Sequence, residues 1–280
     1  MRRWIAAMAV VLTVPAVIAG LDTTANAQAT PAGPVDALKR LLVENRGVRM
    51  SKVLTGTQEI LGERKHFWAD GVAEFGKGKI AAIDMTYRSD FFKGMPTVRK
   101  ITFEGREYAR DRGLPNGKHW LVSEDEEIRP LLDAHWTKIA DPVMLKAVLA
   151  TTETKRPAGV YDGTRTTLYQ GAITLGELYR ASPGFSFDLE EKPTAKEAKA
   201  GISWRLWLGE DQLVRRARGS WTEPFSRSHD ATFSYVVDVR LTGWGAKTDI
   251  TPPPADDLMP IGDLANASEE TPLPLNPAAG

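Results

Sequence analysis

The sequence predicts an α+β fold in which a single curled antiparallel β-sheet, a half-barrel, wraps around a few helices. Three patterns lead to this prediction. Apolar residues occupy every second position from Phe233 to Leu241, which is typical of a long strand buried on one side. Short turns separate neighbouring strand-like segments, as in antiparallel meanders. Amphipathic helical patterns at 35–45 and 142–149 supply faces that cover the buried side of such a sheet.

The first helix is predicted over 35–45, because its leucines share one face and its charged residues lie elsewhere, with Gly47 as the stop. From about Ser51 the apolar period changes to that of strands. Alternation from Ile83 to Tyr87 predicts a half-buried strand, and the turn at 76–78 joins it to a preceding strand that contains Phe67 and Trp68.

Another hairpin follows over 98–110, with its turn at Glu104-Gly105. Pro115-Asn-Gly117 predicts a turn before a short strand at 119–122. The middle of the chain is predicted to be helical. Asp141 is an N-cap ahead of a first-turn proline.

Two capping boxes support the helical prediction for the middle of the chain. Thr174-x-x-Glu177 and Thr194-x-x-Glu197 each place a hydroxyl three residues before a carboxylate. The second box predicts a short polar helix that ends near Gly201.

The clearest strand patterns come last. Trp204, Leu206 and Leu208 occupy every second position, 209–211 forms a turn, and 213–218 returns as the next strand. After the long strand that begins at Phe233, the glycines of 243–245 are expected to break the strand.

A short strand at 247–251 and three prolines at 252–254 are expected to close the fold. The predicted organisation is therefore a signal peptide at 1–29, one domain at 30–254 and a disordered tail at 255–280.

The first residues read as an export leader. Arg2 and Arg3 precede an apolar stretch from Trp4 to Gly20, which is too short and too poorly flanked to predict a spanning helix. Small-x-small patterns end at both Ala27 and Ala29, so the mature chain is expected to start near Gln28 or Thr30. Ile18-Ala19-Gly20 resembles the stretch before an acylated lipoprotein cysteine, but Leu21 stands where that cysteine would be. We expect a secreted or envelope protein without a lipid anchor. The alternative interpretation is an ordinary secretory leader in which Ile-Ala-Gly occurs by chance.

Composition restricts the function classes. The 36 basic and 36 acidic residues cancel, so net charge favours neither nucleic acid nor an anionic membrane as the main partner. The chain has no cysteine, which excludes disulfides, thiol catalysis and thiolate metal sites. With 42% hydrophobic residues, the chain can bury a substantial core.

Catalytic motifs are absent from the sequence. It contains no Gly-x-Ser-x-Gly elbow, His-Glu-x-x-His motif, phosphate-binding loop or dinucleotide fingerprint. The four histidines are scattered, which favours surface or hydrogen-bonded strand residues over a zinc site. We therefore expect a non-catalytic protein with no cofactor and no metal.

Two charged runs leave alternatives open. The acidic run at 124–127 fits either a calcium-binding loop or a helix start capped by Ser123, and the helix start is favoured. Arg215, Arg216 and Arg218 lie beside Trp221 on a predicted strand. A sugar-phosphate or a lipid head group could dock there, but an exposed strand with charges that protect a sheet edge is the favoured interpretation.

Four loose patterns, spread over about 35–255, carry a resemblance to a known family. They are 141–149, 161–169, 204–216 and the closing segment from Gly243 to Pro254. Together they resemble the LppX/LprG-type bacterial envelope lipoproteins, whose fold is related to the LolA-like lipoprotein carriers. The resemblance implies a half-barrel with an apolar cavity and the binding or transfer of acylated lipids or glycolipids, without enzymatic activity.

No site residue is carried over by motif, so alternation and amphipathicity select the candidates for the cavity lining. These ligand-binding candidates are Leu38, Leu41, Leu42, Ile83, Met85, Tyr87, Met144, Val148, Trp204, Leu206, Phe233, Tyr235 and Val237.

Three functions follow as hypotheses. The first is an exported lipid or glycolipid carrier that works with a transient envelope partner. The second is a secreted structural or sensory module with a solid core that binds a protein. The third is a hydrolase with an unrecognised site. The sequence predicts no nucleic-acid partner, and it does not determine the oligomeric state.

Overall fold

The structure, a computed structural model, describes residues 33–58, 62–91, 94, 96–111, 113–124, 139–181, 193–224 and 232–264. The predicted leader and the acidic run beyond Glu124 lie outside these residues, as do His135, His229 and the end of the chain after 264.

Three α-helices of seven to nine residues occur in the described part of the chain. They are α1 (Pro34–Leu41), α2 (Pro142–Ala150) and α3 (Leu175–Ala181).

The strands of the described residues form one sheet of twelve. In chain order they are β1 (Arg46–Gln58), β2 (Glu63–Phe75), β3 (Ile80–Ser89), β4 (Val98–Phe103), β5 (Arg106–Arg110), β6 (Trp120–Ser123), β7 (Thr152–Tyr161), β8 (Thr164–Thr174), β9 (Gly201–Gly209), β10 (Val214–Pro224), β11 (Thr232–Lys247) and β12 (Leu258–Pro260).

The sheet is open, with spatial order β12-β6-β5-β4-β3-β2-β1-β11-β10-β9-β8-β7. Every neighbouring pair is antiparallel except β12 and β6, which are parallel. The predicted antiparallel meander is therefore confirmed for the two runs β1–β6 and β7–β11. The long pairing of β1 with β11 joins these two runs at the centre of the sheet.

The helix caps form as the sequence predicts. The Val143 amide donates to Oδ1 of Asp141 at 2.7 Å, which caps α2. At α3, the backbone amide of Thr174 donates to Oε2 of Glu177 at 2.8 Å, and the Glu177 amide donates back to Oγ1 of Thr174 at 3.2 Å. The second box also forms its bonds at Thr194, but it opens only a 3₁₀ turn at Glu197–Lys199.

Several sequence predictions are wrong in their bounds. Helix α1 ends at Leu41, not at 45, because Asn45 turns the backbone with a φ of 58° and β1 begins immediately afterwards. The helical prediction for the middle misses β7 and β8. Strand β7 is polar on both sides and lies at the edge of the sheet, so it lacks the alternation that reveals a strand.

The end of the domain was also predicted wrongly. Gly243 and Gly245 have φ values of 63° and 75°, and they bulge β11 without ending it. Residues 248–251 form no strand. The sheet continues past 254, because Leu258–Pro260 pairs with β6 and one helical turn follows at 261–264.

One large hydrophobic cluster joins the three helices to one side of β1–β3 and β8–β11. We call this the helix-facing side, and the opposite surface the outer side. Residues opposed in an antiparallel register point to the same side, so the register assigns every strand residue to one of the two. A second, smaller cluster contains Ile101, Tyr108 and Trp120.

Candidate ligand-binding surface

The helix-facing side is apolar across the centre of the sheet. On β11, Val237, Val239 and Leu241 are fully buried, and their partners on β1 include Leu54 and Met50. Helix α2 packs between α1 and α3 and adds Met144, Leu145 and Val148 to the same cluster. The sequence places apolar residues at period two on the strands and at helical spacing on the helices, and the fold brings these faces together.

The structure brings most of the predicted candidates together around this cluster. The fully buried members are Leu38, Leu42, Met85, Met144, Val148, Trp204, Leu206 and Val237. The half-buried candidates that pack against the cluster are Leu41, Ile83, Tyr87 and Tyr235. Phe233 lies outside the cluster, and its ring stacks on Tyr235 with the centroids 6.3 Å apart.

Aromatic contacts line this side of the sheet. The rings of Trp221 and Tyr235 stack at 5.4 Å, and those of Phe67 and Tyr87 lie 5.6 Å apart. The indole N–H of Trp204 donates to Oγ1 of Thr151 at 3.0 Å, so the polar atom of this buried ring is satisfied at the end of α2.

Lys52 is a functional candidate that sequence reasoning missed. It lies on the helix-facing side of β1, between Met50 and Leu54, with an exposed fraction of 0%. Its Nζ lies 5.4 Å from the centroid of the Phe67 ring, a cation–π contact. The period-two pattern of Val48, Met50 and Leu54 is the signal that identifies Lys52 as an inward-facing cation.

The same side of the sheet becomes polar beyond β3. Met85 lies opposite Lys100 on β4, and Nζ of Lys100 is 2.6 Å from Oε1 of Glu107 on β5. The Thr102 hydroxyl is 3.4 Å from the other carboxylate oxygen. Lys100 is only 8% exposed. An apolar wall therefore borders a buried ion pair.

Two of the four histidines have carboxylate partners in the structure. Nδ1 of His66 lies 3.1 Å from Oδ2 of Asp90, and Nδ1 of His119 lies 2.7 Å from Oδ1 of Asp257. Burial raises the pKa of Asp90, but hydrogen bonds from the backbone and ring of His66 outweigh it and lower that pKa. His66 is thus a hydrogen-bonded strand histidine, as expected, and His119 is a hydrogen-bonded surface histidine just before β6. No group of three metal-binding side chains occurs among the described residues.

Comparison with known proteins gives structural matches alone. No family model and no curated protein sequence matches the chain. The crystal structure of LprF from Mycobacterium bovis matches with 14% identity and a TM-score of 0.41, over 79% of this chain and 95% of LprF. A LolA superfamily protein from Nitrosomonas europaea matches with 7% identity and a TM-score of 0.29, with the same coverages.

The complex of MucA and MucB from Pseudomonas aeruginosa matches with 9% identity and a TM-score of 0.21, over 75% of this chain and 94% of that chain. No helix within the described residues combines the length and the apolarity needed to cross a membrane.

Proposed function

We propose that the protein is an exported, non-catalytic carrier that binds acylated lipids or glycolipids against the helix-facing side of a curled half-barrel. The observation that carries this proposal is the wide apolar side of the sheet, on which Ile83, Tyr87 and Tyr235 are only half-buried beside three short helices. The ligand class is the one implied by the sequence resemblance.

The sheet is wider than each helix is long. From β3 to β8 the sheet is about 29 Å wide, because adjacent strands lie about 4.8 Å apart. The three helices are each about 11–14 Å long at 1.5 Å per residue. A half-barrel of this width would present a concave apolar surface, and such a surface would suit acyl chains. Each buried CH₂ then contributes about 0.8 kcal/mol.

The direct test is native mass spectrometry of the protein purified from its own host. We expect bound lipid in the spectrum and uptake of a fluorescent fatty acid by the stripped protein. Ile83→Trp should weaken uptake at least tenfold, because it fills the half-buried edge of the cluster. Val53→Trp, on the outer side of β1, is the matched control and should bind normally.

A clean apo mass together with no fatty-acid uptake would contradict the carrier proposal. That result would favour the second candidate, a structural or sensory module that binds a protein partner. One observation supports this alternative: Met144, Val148 and Leu178 are fully buried where the helices meet the sheet, as in a solid core.

A further inference from the structure

The arginines of β10 do not protect a sheet edge. Strand β10 lies in the interior of the sheet, between β9 and β11, so edge protection is wrong, although Arg218 does lie on an exposed strand face. Arg216 and Arg218 point to the outer side, whereas Trp221 lies on the helix-facing side opposite Tyr235. The arginines therefore need another explanation.

The register concentrates further arginines around them. Arg218 lies opposite Arg205 on β9, and Arg216 lies opposite Arg240 on β11. Arg49 extends the same surface onto β1. Like charges directly opposite each other destabilise a sheet, so packing alone does not account for this arrangement.

Three carboxylates on this side are already paired with other arginines. Asp238 accepts two hydrogen bonds from Nε of Arg216, at 2.9 and 3.1 Å. Asp70 pairs with Arg88 at 3.3 Å.

Asp84 pairs with Arg99 at 2.6 Å. Several exposed arginines of the described outer side form no ion pair, and four of these lie together on the central strands β1, β9, β10 and β11: Arg49, Arg205, Arg218 and Arg240. We call these four the arginine face. A chain whose net charge is zero thus concentrates positive charge on one surface.

We propose that the arginine face docks on an anionic phospholipid membrane. Guanidinium groups bind phosphate oxygens in a bidentate manner, and these four are spread over the plane of β9, β10, β11 and β1. A two-dimensional array matches a bilayer surface better than it matches a linear polyanion. Half-buried Trp207 and Trp68 lie on the same side, and tryptophan suits the head-group region.

Docking does not depend on whether the helix-facing side binds lipid, because the arginine face lies on the opposite side of the sheet. Each arginine near an anionic leaflet strengthens binding roughly fivefold. Removal of all four should therefore weaken binding by at least about tenfold, even with screening by salt.

The test is vesicle co-flotation of the protein purified from cells that export it. Vesicles of phosphatidylcholine alone are compared with vesicles that also contain phosphatidylglycerol, an anionic phospholipid that attracts basic patches. We expect binding to the anionic vesicles only, and its loss at high salt.

The variant with Arg49, Arg205, Arg218 and Arg240 all changed to Gln should lose this binding and keep the wild-type circular dichroism spectrum. A matched control changes four other exposed cations to Gln, with the same change in net charge: Lys39, Arg40, Lys146 and Lys199. This control should still bind.

The proposal would be overturned if the control variant lost as much vesicle binding as the arginine-face variant. It would also be overturned if the wild-type protein bound both vesicle types equally. Retention on heparin without vesicle binding would overturn it as well, because the surface would then recognise a polyanion instead of a membrane.

Discussion

The centre and the flank of the sheet bury their apolar side chains on opposite sides of the sheet. In the central strands β1–β3 and β8–β11, the main hydrophobic cluster lies on the helix-facing side. In the flank of β4–β6, the cluster of Ile101, Tyr108 and Trp120 lies on the outer side, because Ile101 is opposite Tyr108 and shares its side with Asp84. The apolar side of one continuous sheet thus switches between β3 and β4.

The two regions also differ in what covers them. The centre is covered by helices α1–α3. The flank is covered on its outer side by the segment after β11, through Ile250 and Leu258. The Ile250 amide donates to Oε2 of Glu74 at 2.9 Å, which fixes this segment across the sheet. The position of the C-terminal segment therefore determines which side of the flank is apolar.

The largest expected effect is the loss of stability when one buried side chain is truncated in the centre, compared with one in the flank. Leu206→Ala should destabilise the protein by about 3–5 kcal/mol, because Leu206 is fully buried between helices and strands that resist collapse. Ile101→Ala should cost about 2 kcal/mol, since an irregular segment covers the flank and can relax into the cavity. Urea denaturation measures both values.

Val53→Ala, on the outer side of β1, serves as the control for this pair and should change stability by less than about 1 kcal/mol. Equal costs for Leu206→Ala and Ile101→Ala would show that the covering segment is as rigid as the helices.

Sequence patterns predict the centre of the sheet better than the flank. On β9 and over most of β11 every second residue is apolar, and the cap at Asp141 depends on adjacent residues. Patterns within a few residues were therefore sufficient to predict these elements. On β4, Lys100 and Ile101 are consecutive and both buried, which no alternation rule resolves. Their sides depend on residues from the distant C-terminal segment.

Sequence patterns also predict only part of the candidate ligand-binding surface. Alternation identified Leu206 and Val237, which are fully buried. It did not identify Lys52, because a charged residue in an apolar register is assigned to solvent unless the register is already known. The arginine face was equally inaccessible, since it exists only once the register sets β9, β10, β11 and β1 side by side.

A second prediction tests the polar helix-facing side of the flank. Lys100→Met should destabilise the protein by about 3 kcal/mol, because it leaves the Glu107 carboxylate buried beside an apolar side chain. The double variant Lys100→Met, Glu107→Leu should recover most of this loss, since it makes this side of the flank apolar like the centre. Thermal unfolding of the two variants measures the difference.

Glu107→Leu alone completes this double-mutant cycle. If the double variant is no more stable than Lys100→Met, the ion pair contributes specific structure that apolar packing does not replace.

The smallest expected effect concerns the helical cover of the centre, at the start of α3. Hydrogen bonds from the backbone and side chain of Thr174 lower the pKa of Glu177, and burial opposes them only weakly. A carboxylate with a lowered pKa stabilises the folded state above its unfolded pKa of about 4.5, and this stabilisation is lost as the pH falls through the lower folded value. Glu177→Gln should therefore cost about 0.5 kcal/mol at pH 7, and this cost should shrink as the pH falls below about 4.5. The measurement is urea denaturation at a series of pH values. A cost that stays constant as the pH falls would show that the charge of Glu177 does not hold α3 over the sheet.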